Sequence, residues 1–112
     1  MTLLADQQCK PVTDKDQALD AHQIEEFLDG ELQDLWQLDP HHPVIRREFR
    51  FNDYYQTIDF VNKVVEIIHQ QNHHPEMIVS YNRCMIEFTT HSIQNLSIND
   101  FICAAKINQI SI

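Results

Sequence analysis

The apolar positions of this chain change period several times, and each change predicts an element boundary. Ile24, Phe27, Leu28, Leu32 and Leu35 recur at helical spacing, and Asp20 with Gln23 stands before them as a capping box. A first helix is therefore expected from Asp20 onward. Gly30 is its weakest point, since glycine inside a helix costs about 1 kcal/mol relative to alanine. Next, Ile45, Phe49 and Phe51 alternate with Arg46, Glu48 and Arg50, the signature of a half-buried strand. "WQL" ahead of "DPHHP" supplies a partner strand, and Pro40 and Pro43 place His41 and His42 in the connection between them, an exposed turn. From Asp53 to Gln71 the helical period returns, with Tyr54, Ile58, Val61, Val65 and Ile68 in one stripe and Phe60, Val64 and Ile67 beside it. Pro75 ends that helix.

Met77 to Thr90 reads as a hairpin turning at Asn82 and Arg83. That turn pairs Tyr81 with Cys84, Val79 with Ile86 and Met77 with Phe88 on one face, and Ser80 with Met85, Ile78 with Glu87 and Glu76 with Thr89 on the other. Continued outward, it sets His74 opposite His91. Ile98, Phe101, Ile102 and Ala105 then predict a third helix over 97–110 with Ser97 as its N-cap. The order α-β-β-α-β-β-α implies an α+β fold, a four-stranded antiparallel sheet with three helices packed on one face. Residues 1–19 are polar, carry Pro11 and show no period, so they are expected to form a flexible N-terminal arm ahead of a single domain over 20–112.

Composition narrows the function classes. Seventeen acidic residues against eight basic ones give a formal charge of −9, which repels phosphate backbones and anionic lipid and argues against nucleic acid as a partner. The apolar content of 43% fits a compact fold, and no apolar run approaches the roughly 20 residues of a membrane span. "MTLLADQQ" lacks the features of a secretory leader, so a cytoplasmic location is expected. Cys9, Cys84 and Cys103 are an odd, widely spaced set and are expected as reduced thiols.

Histidine carries the candidate chemistry, because its ordinary pKa near 6.5 lets it give and take a proton near neutrality. His73 and His74 sit where a helix breaks into a strand, His69 lies one turn earlier, and the hairpin brings back His91. Asp100, three residues after Ser97, either completes a capping box or reaches the same end of the sheet. His69 and His73 at i, i+4 also match metal-ligand spacing, with His91 as a third ligand, although nothing completes such a shell.

At His69, His73, His74, Pro75, Tyr81, His91 and Asp100 the chain resembles the pterin-4a-carbinolamine dehydratases, a family also known for a dimerisation cofactor of a homeodomain transcription factor. The likeness spans roughly 20–110 and is densest from His69 to Asp100, where "THSIQNLSIND" echoes the family's threonine-histidine to aspartate segment. Met77 stands where many members have tryptophan, and Asn95 replaces a common glycine, where it is expected to keep a left-handed backbone. The resemblance implies removal of water from a 4a-hydroxytetrahydropterin to give quinonoid dihydropterin, with no metal or other cofactor. It gives His73 and His91 the acid and base roles and His74 substrate positioning, with His69, Glu76, Met77 and Asp100 around the substrate. It implies a homodimer or homotetramer and a link to an aromatic amino acid hydroxylase. Two alternatives stand beside it: a protein-interaction module on the same fold, resembling a transcriptional coactivator, and the histidine metal site.

Overall fold

A computed structural model describes residues 2–111. Its elements are α1 (Ala21–Asp29), β1 (Gln37–Leu38), β2 (Ile45–Arg50), α2 (Tyr54–Gln71), β3 (Glu76–Ser80), β4 (Arg83–Phe88) and α3 (Ile98–Asn108). Single 3-10 turns occur at Leu4–Asp6, Lys15–Gln17 and His91–Ile93. The strands form one antiparallel sheet in the order β1-β2-β4-β3.

Alternation along the strands decides which face the helices cover. Ile45 and Phe49 of β2 and Cys84, Ile86 and Phe88 of β4 are buried in one cluster with Phe60, Val64 and Ile68 of α2 and Phe101, Ile102 and Ala105 of α3. The opposite face carries Arg46, which donates to Asp39 and to Glu87, and the Arg50–Glu48 pair. The α+β architecture expected from the periodicity is thus the one present. The connection between β1 and β2 is the exposed turn expected at His41 and His42, whose amides both donate to Asp39 Oδ1 at 2.7 and 2.8 Å.

Several local expectations are corrected. The first helix ends at Asp29 rather than running on to Leu35, because Gly30 takes up ψ −109°, where an added Cβ would lie 2.7 Å from the Glu26 carbonyl oxygen. Gln33 and Asp34 then adopt left-handed backbone, and the turn delivers Leu32 and Trp36 to the core while leaving Leu35 exposed.

The hairpin pairs Ser80 with Arg83, Val79 with Cys84, Met77 with Ile86 and Glu76 with Glu87, two residues out of the expected register. A slip of two keeps every side chain on its face, so the apolar pattern does not choose between the two registers. Tertiary hydrogen bonds choose: the Thr57 hydroxyl bonds the Tyr81 carbonyl at 3.0 Å, and the Phe51 amide donates to the Asn82 carbonyl at 2.8 Å. The left-handed position expected at Asn95 falls instead on Gln94, the C-cap of the His91–Ile93 turn.

The N-terminal arm, expected to be loose, packs on the domain. Leu4, Ala5 and Val12 are buried, the Glu31 carboxylate accepts the amides of Leu4 and Ala5 at 2.6 and 2.8 Å, and Lys106 Nζ donates to the Ala5 carbonyl. These partners come from α3 and from the turn after α1, distant in sequence and invisible to any local period.

Candidate functional site

The site begins with the way α2 stops. Asn72 closes the helix in left-handed geometry (φ 52°, ψ 42°), its amide bonded back to the last-turn carbonyls, and the His73 amide donates to Ile68 O. Pro75 then forces extended backbone. His73 and His74 therefore leave the helix end in different directions.

His73 turns inward. Its ring stacks on Phe88, centroids 5.8 Å apart and planes 7° from parallel, and its Nε2 hydrogen-bonds Asp100 Oδ1 at 2.6 Å. Asp100 is fully buried in the first turn of α3, and its other oxygen accepts from Thr90 Oγ1 at 2.7 Å and from the Ser97 amide at 3.0 Å. The carboxylate thus completes the capping box of α3 and grips the imidazole at once, so both roles read from the sequence apply. Burial pulls the His73 pKa down, but the hydrogen bond and the charge of Asp100, helped by Cys9, outweigh it and leave it above the ordinary 6.5. With Nε2 committed to Asp100, Nδ1 is the ring nitrogen left for a substrate.

His73 lines a cavity of about 450 Å3, together with Gln70, Asn72, Thr90, Ser92 and the arm residues 9–12. That volume lies in the range of small-molecule sites, roughly 300–1,000 Å3. His74 and His91 meet elsewhere, in a cleft of about 40 Å3 with Val44, Glu76, Glu87 and Phe88. The register expected to set His74 opposite His91 is therefore not the one present, although both residues line this cleft. His73 and His91, the residues given the acid and base roles, line different hollows, with Thr90 on the wall of the larger and Phe88 and Thr89 on that of the smaller. His91 is exposed, and the residues on either side of it, Thr90 and Ser92, belong to the wall of the larger cavity.

The remaining expected site residues scatter. Glu76 is on the small cleft, His69 is exposed near the end of α2, and Met77 packs partly buried against the core, opposite Ile86. Among the described residues no group of three His, Cys, Asp or Glu side chains is placed to hold a metal ion, so the ligand set of His69, His73 and His91 is not assembled. Nor is any helix among them long and apolar enough to cross a membrane. Another cavity, of about 420 Å3 between the end of β2 and α2, shares no residue with the histidine site.

Residues 17–110 match the family model described as pterin 4 alpha carbinolamine dehydratase. The chain belongs to this family. Among relatives provisionally named pterin-4-alpha-carbinolamine dehydratase, one from Nitrosomonas eutropha is 47% identical over 97% of this chain and 94% of its own length. Another, from Bdellovibrio bacteriovorus, is 46% identical over 86% of this chain and 80% of its own. A crystal structure described as a transcriptional coactivator/pterin dehydratase from Brucella melitensis superposes with a TM-score of 0.75, at 28% identity, over 81% of this chain and 95% of that one. A pterin dehydratase-like protein described as a RuBisCO assembly factor of the alpha-carboxysome shares the fold at 18% identity, with a TM-score of 0.56 over 65% of this chain and 84% of that one.

In this dehydratase-family chain the sequence reading missed Phe88, Thr90 and the arm. Phe88 reads as an ordinary core strand residue, and the arm has no pattern at all. Thr90 was within reach, because it adjoins His91 in the segment that carries the resemblance.

Proposed function

We propose that this protein is a hydro-lyase that dehydrates 4a-hydroxytetrahydropterins to quinonoid dihydropterin, and that the pterin ring binds in the cavity lined by His73. The observation that carries this reading is the His73–Asp100 pair, a polarised imidazole with one free ring nitrogen on the wall of a cavity large enough for a bicyclic ring.

The 4a-hydroxyl leaves as water only when it gains a proton, while the adjacent ring nitrogen pushes in its electron pair and loses its own proton. His73, whose pKa the Asp100 carboxylate raises, is the acid and delivers its proton from Nδ1. Asp100 keeps the imidazole oriented and stabilises its charge, and Thr90 and the Ser97 amide keep the carboxylate from turning. His91, exposed and flanked by the cavity-wall residues Thr90 and Ser92, is the base by the family resemblance. His74 and Glu76 share the small cleft with His91. His69, exposed on α2, and Met77, packed against the core, are given no contact with the ring.

A stopped-flow assay with enzymatically generated 4a-hydroxypterin tests these roles. His73→Ala and His91→Ala each lose at least ~10²-fold in rate, the usual worth of one positioned proton-transfer group, while the His41→Ala, His42→Ala double variant stays near wild type. Unchanged turnover in His73→Ala removes the basis of the proposal; unchanged turnover in His91→Ala moves the base role to another group.

A second reading has its own observation. Tyr54, Tyr55 and Val65 leave α2 with an exposed apolar flank, and β3 is a sheet edge carrying exposed Ile78 and Val79. Such surfaces suit self-association into a dimer or tetramer, or docking of another protein. Light scattering on the purified chain, and partner capture that survives His91→Ala, separate these roles from catalysis. In a cell that makes an aromatic amino acid hydroxylase, that enzyme supplies the carbinolamine.

A further inference from the structure

Cys9 and Cys103 stand 94 positions apart in sequence, yet their sulfur atoms are 3.6 Å apart. Cys9 lies in the N-terminal arm on the wall of the His73 cavity, half-buried and within reach of small solutes. Cys103 is in α3 and fully buried. The arm is gripped on both sides of the thiol: Gln71 Nε2 donates to Gln8 Oε1, the Cys9 amide donates to Gln71 Oε1 at 2.7 Å, and Asn99 bonds both the amide and the carbonyl of Lys10. The two sulfurs are therefore held together by a framework that does not depend on them. Cys84 is the third thiol, buried in the sheet within β4.

The surroundings divide the labour between the two. The hydrogen bond with Cys103 lowers the Cys9 pKa against the opposing effect of burial, and the charges of His73 and Lys106 lower it further while Asp100 opposes them. The same hydrogen bond, with burial, pushes Cys103 up. Cys9 is thus the nucleophile and Cys103 the thiol that answers it.

We propose that Cys9 and Cys103 form a dithiol site oxidised by hydrogen peroxide, whose disulfide fastens the N-terminal arm to α3 along the wall of the His73 cavity. The Cys9 thiolate attacks one peroxide oxygen; the O–O bond breaks, Cys9 becomes a sulfenic acid, and the departing hydroxide takes up a proton. Cys103 sulfur then attacks the Cys9 sulfur, the S–O bond breaks, and hydroxide leaves with the Cys103 proton as a second water. Two thiols and one peroxide give one disulfide and two waters. Forming the bond brings the sulfurs from 3.6 Å to the roughly 2.05 Å of a disulfide.

The test needs no pterin and so stands or falls apart from the dehydratase reading. The full chain is treated with hydrogen peroxide, unfolded in the absence of reductant and assayed for thiols. Titratable thiols are expected to fall from three to one, a non-reduced digest to yield the Cys9 peptide joined to the Cys103 peptide with Cys84 free, and Tm to rise reversibly with dithiothreitol. In Cys103→Ser, dimedone is expected to trap a sulfenic acid on Cys9. Links that involve Cys84, links only between chains, or three surviving thiols at a peroxide dose that traps Cys9 in Cys103→Ser overturn the proposal. A Cys9–Cys103 disulfide that leaves Tm unchanged overturns the fastening.

Discussion

One carboxylate sets the character of the site. Asp100 is buried and hydrogen-bonds His73, Thr90 and the Ser97 amide at the start of α3, which orients the imidazole and raises its pKa. The pH dependence follows in sign. The folded pKa of His73 is raised, so the stabilisation from its charged pairing is complete below about pH 6.5, the unfolded value, and is lost as pH rises through the folded value. Urea unfolding of wild type and Asp100→Asn is expected to show a stability gap that narrows as pH increases; a gap that widens contradicts the pairing. Where His73 acts as acid, the alkaline limb of the dehydration rate in Asp100→Asn moves to lower pH, because a neutral amide no longer holds the proton on the ring. The seven residues of the family pattern were legible in the sequence because histidine, proline, tyrosine and aspartate stand there at the family's spacings. Phe88, against which the His73 ring lies, was not, since nothing distinguishes it locally from the apolar residues that only fill the core.

Helices and strands were legible where their hydrophobic period was long, and their ends where a side chain caps the backbone. The capping boxes at Asp20–Gln23 and Ser97–Asp100 form as the sequence suggests. The register of the β3–β4 hairpin was not legible, since slipping two residues preserves both faces. Thr57 holds the observed register from α2. It is fully buried, and its hydroxyl bonds the carbonyls of Asp53 at 2.8 Å and Tyr81 at 3.0 Å. Thr57→Val keeps the shape and removes the hydroxyl, leaving a turn carbonyl without its partner. A loss of about 1–3 kcal/mol in unfolding free energy is expected from denaturant titration. No loss would mean that the turn is held by Phe51 and Asn82 alone.

At the scale of the whole molecule, the arm joins parts of the chain that no local rule connects. It runs from the turn after α1, where Glu31 receives two of its amides, across α3 to the wall of the His73 cavity. Leu4 is its apolar anchor, 3% exposed, while its neighbour Leu3 is 54% exposed. Leu4→Ala is expected to cost about 2–5 kcal/mol, as truncation of a buried leucine does, and Leu3→Ala to cost little. Equal and negligible effects in the two variants would show the arm detached in solution. The formal charge of −9 also belongs to this scale: it disfavours polyanionic partners.

The chain by itself determined the order of its elements and the residue types that carry proton chemistry, because periodicity, caps and histidine spacing are properties of neighbours along the backbone. Tertiary structure alone decided which histidines share a hollow, where the hairpin turns, and that an unpatterned arm seats a thiol beside Cys103. Those outcomes depend on hydrogen bonds and packing between distant segments, whose energies no local stretch of sequence contains.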